Sequence, residues 1–240
     1  MTRRLIVTGA ASGIGAAVVD HALDAGWSVI GIDRAFAFRT ESRHRTITAD
    51  VAEPGEVTAA VDAAITGWDG PPDSLVHCAG IYRVTPSATA DAAGWDDVVG
   101  VNARGSFLMA QAVASTMIHY GTTGSIVLLG SVAAGRGDRG EPSAAYAASK
   151  GAVSSMARQL AVEWGGSGIR VNCVVPGVID TAMTTVTSDA GAAVALLRRL
   201  PLGRLGTAGE VAAACLFLAG TESSYITGTE ILVDGGYLAS

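Results

Sequence analysis

Short aliphatic runs alternate along the chain with longer stretches of helical period. Arg4–Thr8 (RLIVT), Ser28–Asp33 (SVIGID), Ser74–His77 (SLVH), Ser125–Leu129 (SIVLL), Ile169–Val175 (IRVNCVV) and Glu230–Val233 (EILV) read as strands, and Arg45–Ala49 as a weaker one. Several are apolar at consecutive positions rather than alternate ones, the pattern of strands covered on both faces. Between them, helical patterns run over about Gly13–Ala25, Pro54–Thr66, Gly94–Tyr120, Ser143–Trp164, Ala190–Leu200 and Ala208–Leu218. The succession predicts an α/β chain organised as one domain over residues 1–240. Its expected core is a doubly wound parallel sheet of about seven strands, with helices on both faces and right-handed crossovers.

Composition sharpens this picture. Hydrophobic residues make up 49% of the 240 positions and charged residues only 16%, so much of the chain is expected to be buried, in a large sheet, in subunit contacts or in both. The net charge is −6 and no Lys/Arg run stands out, which argues against nucleic acid as a partner. Cys78, Cys173 and Cys215 are widely spaced and show no metal-ligand pattern; no metal is expected, and a reducing compartment such as the cytoplasm fits them. The apolar N-terminal run is interrupted by glycines and leads directly into a helix pattern, so it reads as a first strand and not as a secretory leader. No run of about 18 uninterrupted apolar residues suggests a membrane span.

Candidate chemistry begins directly after the first strand. Thr8–Gly15 (TGAASGIG) opens a helix. Its glycines let the backbone turn sharply and approach a pyrophosphate, toward which the helix presents unpaired N–H groups and the positive end of its dipole. Gly9, Ser12, Gly13, Ile14 and Gly15 are therefore candidate cofactor contacts. Asp33 closes the second strand, where a carboxylate accepts hydrogen bonds from ribose hydroxyls and repels a 2′-phosphate. Asp33 thus favours NAD, while its neighbour Arg34 keeps NADP open as the alternative.

A second constellation lies in Ala144–Val153 (AAYAASKGAV). Tyr146 and Lys150 are four positions apart and share a helix face. An adjacent ammonium is expected to lower the tyrosine pKa and make the phenol a general acid/base for an alcohol. Ser131, just beyond the fifth strand, falls at the sheet edge where open α/β sheets bind ligands.

Taken together, the chain resembles the short-chain dehydrogenase/reductase family over essentially its whole length. The resemblance is carried by TGAASGIG, Asp50-Val51, Cys78-Ala79-Gly80, Asn102, Ser131, YAASK at Tyr146–Lys150, PGVIDT at Pro176–Thr181, and the ending GRLG…EVA…FLA…ITG…DGG. It implies a Rossmann fold and an oxidoreductase that interconverts a secondary, cyclic alcohol and its ketone. In that family pattern Tyr146 is the acid/base, Lys150 lowers its pKa and binds the nicotinamide ribose, Ser131 polarises the substrate oxygen, and Asn102 holds a water in a proton relay. Asp50 and Val51 contact the adenine, and Cys78, Ala79 and Gly80 line the cofactor. Pro176 and Gly177 turn the chain toward it, and Ile179 and Thr181 hold the carboxamide. The family also implies a homotetramer.

Two departures stand out. His77-Cys78-Ala79-Gly80 replaces the family's Asn-Asn-Ala-Gly, and His77 reads as structural. The interval from Ser131 to Tyr146 is 15 positions, with the extra residues in Gly135–Glu141 expected at the substrate entrance. Residues 182–203 are the expected lid. Tyr82, Arg83, Arg136, Arg139, Arg198 and Arg199 are expected near the mouth, where the arginines suit either an acidic substrate or ordinary solvated loops. IDRAFAF (residues 32–38) and AGIYR (residues 79–83) faintly resemble dihydrodiol and dihydroxybenzoate dehydrogenases. The alternatives are an NADP-dependent ketone or 3-oxoacyl reductase and, from another class, a non-catalytic dinucleotide-binding regulator.

Overall fold

The strands are β1 (Arg4–Thr8), β2 (Ser28–Asp33), β3 (His44–Thr48), β4 (Ser74–His77), β5 (Gly124–Leu129), β6 (Ile169–Pro176), β7 (Ile179–Asp180), β8 (Gly206–Thr207) and β9 (Glu230–Val233). They are seen in a computed structural model that describes residues 2–35, 43–184 and 190–240. Seven of them form a parallel sheet in the order β3-β2-β1-β4-β5-β6-β9, while β7 and β8 pair separately. From the centre, the chain winds outward through β2 and β3, then returns to β4 and winds the other way. The reversal falls between β1 and β4, where Thr8 pairs with His77. Such a switch point opens a crevice at the carboxyl ends of the strands.

Alternate strand residues face opposite sides, and both sides are covered. Ile6, Ile30, Leu75 and Ile126 pack under α2 (Pro54–Trp68), α4 (Gly105–Tyr120) and α5 (Ala144–Gly165). Leu5, Val29, Val76 and Val127 pack under α1 (Gly13–Asp24) and α7 (Ala208–Ala219). This two-sided burial explains the uninterrupted apolar runs. It also leaves buried polar positions with definite tasks. Ser74 and Ser125 donate to the carbonyls of Ala219 and Leu218 at the end of α7, meeting acceptors that a helix terminus cannot satisfy internally.

The expected helix over 94–120 is three pieces. α3 (Ala92–Val99) begins at Asp91, whose Oδ1 accepts the Gly94 N–H at 2.7 Å. A π-type segment follows at Gly100–Arg104, and α4 then continues to Tyr120. The wider turn is centred on Asn102. The remaining helix, α6 (Ala190–Arg199), lies within the expected lid, of which residues 185–189 fall outside the described residues. The β7–β8 pair was not foreseen; it clamps the base of that segment through Ile179–Gly206 and Asp180–Thr207. Residues 36–38 of the IDRAFAF stretch also lie outside the described residues.

Candidate active site

A cleft of about 1260 Å³ follows the carboxyl edge of the sheet. Of the residues expected to do the chemistry or hold the cofactor, all but Asn102 line it. The phosphate loop sits at its floor between β1 and α1. Gly9 has φ +63°, and a Cβ there would lie 2.8 Å from the Ala79 amide nitrogen. At Gly15 a Cβ would stand 2.0 Å from the Gly9 carbonyl oxygen. The loop can therefore close onto the helix only with glycine at both places. α1 has no acidic residue in its first turn, and Ser12 does not cap it with its side chain. Its N-terminal N–H groups thus border the cleft with no acidic or capping side chain of the helix itself against them, a cradle that fits a pyrophosphate. Gly15→Ala is expected to cost about 1–3 kcal/mol of stability, measured by denaturant unfolding, and to weaken dinucleotide binding at the same time.

Other strand ends complete the dinucleotide-shaped part of the cleft. Asp33 accepts the Ala11 N–H at 3.1 Å and the Ala35 N–H at 3.2 Å, so its carboxylate is fixed beside the glycine loop. The Arg34 guanidinium lies against Asp50, 3.4 Å away, and not against Asp33. Asp50 itself caps the next turn by accepting from Ala52 N. Val51 is buried beneath the same end of the cleft. After β4, the Ala79 N–H donates to Thr8 Oγ1, which is also 2.8 Å from His77 Nδ1. His77 is fully buried, and burial, followed by the nearby Lys150 charge, lowers its pKa to about 3. It is a neutral tie between β1 and β4, as its structural reading required. Across the cleft, Thr181 comes within 3.6 Å of where a Cβ on Gly13 would stand. The end of β6 and the segment that follows it, with Pro176, Gly177 and Ile179, therefore close over the phosphate loop.

Ser131, Tyr146 and Lys150 converge above β5. Ser131 follows the strand in extended backbone, accepts the Ala133 N–H at 3.1 Å on its Oγ and has its hydroxyl beside the Tyr146 phenol. Lys150 is 5% exposed, donates from Nζ to the Leu129 carbonyl at 2.8 Å, and stands 5.8 Å from the centre of the Tyr146 ring. The electrostatics differ from the expectation in one respect. Burial holds the Tyr146 phenol above its ordinary value, opposed by the nearby Ser131 hydroxyl, and Lys150 does not bring it down. The same burial acts on the lysine, whose pKa is lowered to about 8. Desolvation penalises each charged form more than this separation repays.

Asn102 is the exception among the expected residues. It is 0% exposed and lies behind the cleft wall. Its Oδ1 accepts the Ile81 N–H at 2.8 Å, and its Nδ2 donates to the Ile81 carbonyl and to Ser149 Oγ, both at 3.0 Å. The π-type turn thus pins the loop after β4 to the helix that carries Tyr146 and Lys150. Such bulges inside helices recur at functional sites.

The mouth of the cleft is balanced in charge. Tyr82, Arg136 and Arg199 line it, whereas Arg83, Arg139 and Arg198 do not. Arg83 is ion-paired with Asp97. Arg199 pairs with Asp138 at 3.0 Å and donates to the Tyr237 hydroxyl at 2.6 Å. Arg136 donates to the Tyr237 and Ser240 carbonyls. Tyr82 meets Tyr146 edge-on, with ring centres 4.8 Å apart, and its hydroxyl donates to Glu141 Oε2 at 2.8 Å. Sequence reasoning missed Tyr237 altogether. It also foresaw the Glu141 loop only as an entrance, because neither residue carries a motif.

Comparison with known proteins adds an independent line. Residues 9–238 match the family model described as enoyl-(acyl carrier protein) reductase. D-threitol dehydrogenase of Mycolicibacterium smegmatis is 37% identical over 241 residues, which cover 97% of this chain and 91% of that protein. Among solved structures, a short-chain type dehydrogenase/reductase from Mycobacterium ulcerans superimposes with a TM-score of 0.91 at 31% identity, covering 99% of this chain and 90% of that one. 4-hydroxyisoleucine dehydrogenase complexed with NADH gives a TM-score of 0.92 at 26% identity, with all of both chains covered.

Proposed function

The chain belongs to the short-chain dehydrogenase/reductase family and is an oxidoreductase of secondary alcohols that uses a nicotinamide dinucleotide; from that premise we propose that it is an NAD-dependent dehydrogenase of a neutral, hydroxyl-rich substrate. The observation that carries this reading is the convergence of Ser131, Tyr146 and Lys150 in the cleft floored by the glycine loop. D-threitol, an open-chain polyol, is the substrate in the name of one relative, and the charge balance at the mouth supports a neutral substrate over an acidic one.

In this reading the N–H groups opening α1 would hold the pyrophosphate, and Asp33 would accept from the adenosine ribose hydroxyls. Ile179 and Thr181 orient the carboxamide end. When bound, the nicotinamide supplies the hydride acceptor or donor. The rest is proton handling and positioning by the chain. Ser131 hydrogen bonds the substrate oxygen and fixes its distance from Tyr146. The phenol takes the hydroxyl proton as the alcohol is oxidised and returns it when the ketone is reduced. Lys150 donates toward the ribose and stabilises the phenolate as it forms. Asn102 is a positioning residue that keeps the loop after β4 and α5 in register. The α6 segment covers the substrate end through Leu196 and Arg199.

We further read the chain as a single domain that assembles as a homotetramer in the cytoplasm. Exposed apolar residues on α4, α5 and α7, including Ile118, Val162 and Phe217, suit subunit contacts. The three free thiols fit a reducing compartment. No described helix is long and apolar enough to cross a membrane.

Asp33 supports NAD because a 2′-phosphate would meet its carboxylate while Arg34 is engaged with Asp50. Asp33→Ala is expected to raise the NADH dissociation constant about tenfold or more, the worth of a hydrogen bond to a charged group. NADPH binding is expected to tighten. Nicotinamide fluorescence titration measures both. Wild-type protein that binds NADPH more tightly than NADH would overturn the assignment.

A further inference from the structure

We propose that Glu141, held in place by Tyr82, is the specificity-determining residue that receives a second hydroxyl of the substrate, next to the carbon being oxidised. The inference rests on the dehydrogenase reading above and goes beyond it by naming what the site selects.

Glu141 closes the lengthened loop between Ser131 and Tyr146, so its place at the cleft wall follows from the departure in spacing. One hydrogen bond and one ring contact separate it from the acid/base. Its Oε2 accepts the Tyr82 hydroxyl, and the Tyr82 ring stands edge-on against Tyr146. Ser143 ties in the same corner. Its hydroxyl donates to the Glu141 carbonyl at 3.1 Å and lies beside the Tyr82 phenol. Burial and then the carboxylate keep the Tyr82 phenol well above its ordinary range, so it remains a donor and orients Glu141 at working pH.

The chemistry of this corner selects its ligand. A carboxylate only accepts, and it has room for several donors around its two oxygens. A substrate hydroxyl on the neighbouring carbon is a donor of the right kind. A substrate carboxylate would meet like charge, and the two arginines at the mouth do not offset this, because Arg199 is already paired with Asp138 and Arg136 with backbone carbonyls. A monohydric alcohol would bring no such second donor to Glu141. The site therefore favours a vicinal diol or longer polyol over both.

The test compares wild type, Glu141→Gln and Glu141→Ala on butane-2,3-diol, butan-2-ol and 3-hydroxybutyrate with NAD⁺. The readout is the ratio of kcat/KM values for diol and monoalcohol, which a purely structural role for Glu141 would not move. Wild type is expected to favour the diol, and Glu141→Ala to lower that ratio about tenfold to a hundredfold, as loss of a hydrogen bond to a charged group implies. Glu141→Gln should raise kcat/KM for 3-hydroxybutyrate relative to butan-2-ol. A wild type without diol preference, or a ratio unmoved in Glu141→Ala, overturns the proposal. If wild type oxidises none of the three, the dehydrogenase reading fails. Calorimetric titration of D-threitol then decides the Glu141 assignment alone: weaker binding in Glu141→Ala supports it, and equal or absent binding overturns it.

Discussion

Tyr146→Phe is expected to lower kcat for alcohol oxidation by about 10³-fold, the usual worth of a positioned general acid/base, while the protein still folds and still binds NADH. The substitution removes one oxygen and keeps the ring, so the edge-on contact with Tyr82 survives. What is lost is the hydroxyl that faces Ser131. Fluorescence titration with NADH separates loss of chemistry from loss of binding. The dissociation constant is expected to stay within about tenfold, the most that one neutral hydrogen bond carries. The pH profile makes the test sharper. Burial holds the phenol above its ordinary value in the free protein, so little phenolate exists at neutral pH. Wild-type kcat/KM for alcohol oxidation should therefore climb with pH through the neutral range, and the residual rate of Tyr146→Phe should lack that climb. A variant that retains turnover would show that another group moves the proton. A wild type that binds NADH without turning over any alcohol would favour a regulator.

Why the phenol stands above its ordinary value could not be read from the sequence. The i, i+4 spacing correctly placed Tyr146 and Lys150 on one helix face, because helix geometry is local. Whether a cation lowers a neighbour's pKa depends on how much water both have lost, and that is set by β5, the loop after β4 and Tyr82, all remote in the chain. The strands were legible for the opposite reason. Runs such as RLIVT and SVIGID are apolar at consecutive positions because both faces are covered, and that signature is written inside each segment. The π-type turn at Gly100–Arg104 left no such mark. Apolar positions continue from Val98 and Val101 to Met109 across it, so the period looks unbroken. What fixes the turn is the pairing of Asn102 with Ile81 and Ser149, a tertiary fact. The two-residue strands β7 and β8 are too short to carry a pattern. Glu141 and Tyr237 acquire meaning only when loops 59 and 99 positions away in sequence meet them, through Tyr82 and Asp138.

Lys150→Met is expected to abolish most of the activity and yet make the protein relatively more stable at neutral pH than at alkaline pH, compared with wild type. Burial lowers the lysine pKa from 10.5 to about 8, and no carboxylate among the described residues repays it; its polar neighbours include the Leu129 carbonyl and thiols that burial keeps protonated. Below pH 8 the folded protein holds a cation that the unfolded chain would hold in water. That costs about 3 kcal/mol from the ionisation difference alone. Between the folded value near 8 and the unfolded value near 10.5, the folded state has released its proton while the unfolded state retains it. Wild-type stability from this group therefore rises with pH across that window, and methionine has nothing to titrate. Removing the Nζ donor also leaves the Leu129 carbonyl without its partner, a loss of about 1–3 kcal/mol that does not depend on pH. The decisive quantity is consequently the change in the stability difference with pH. Urea unfolding at pH 7 and pH 10 should show the advantage of Lys150→Met over wild type shrinking by about 2 kcal/mol. A difference that stays constant across those pH values would mean that the lysine is not carried as a buried cation. The phenolate formed during oxidation would then have no charged partner at this position. If the difference shrinks as expected, the fold bears an ionisation cost at the one helical turn where the reaction needs positive charge.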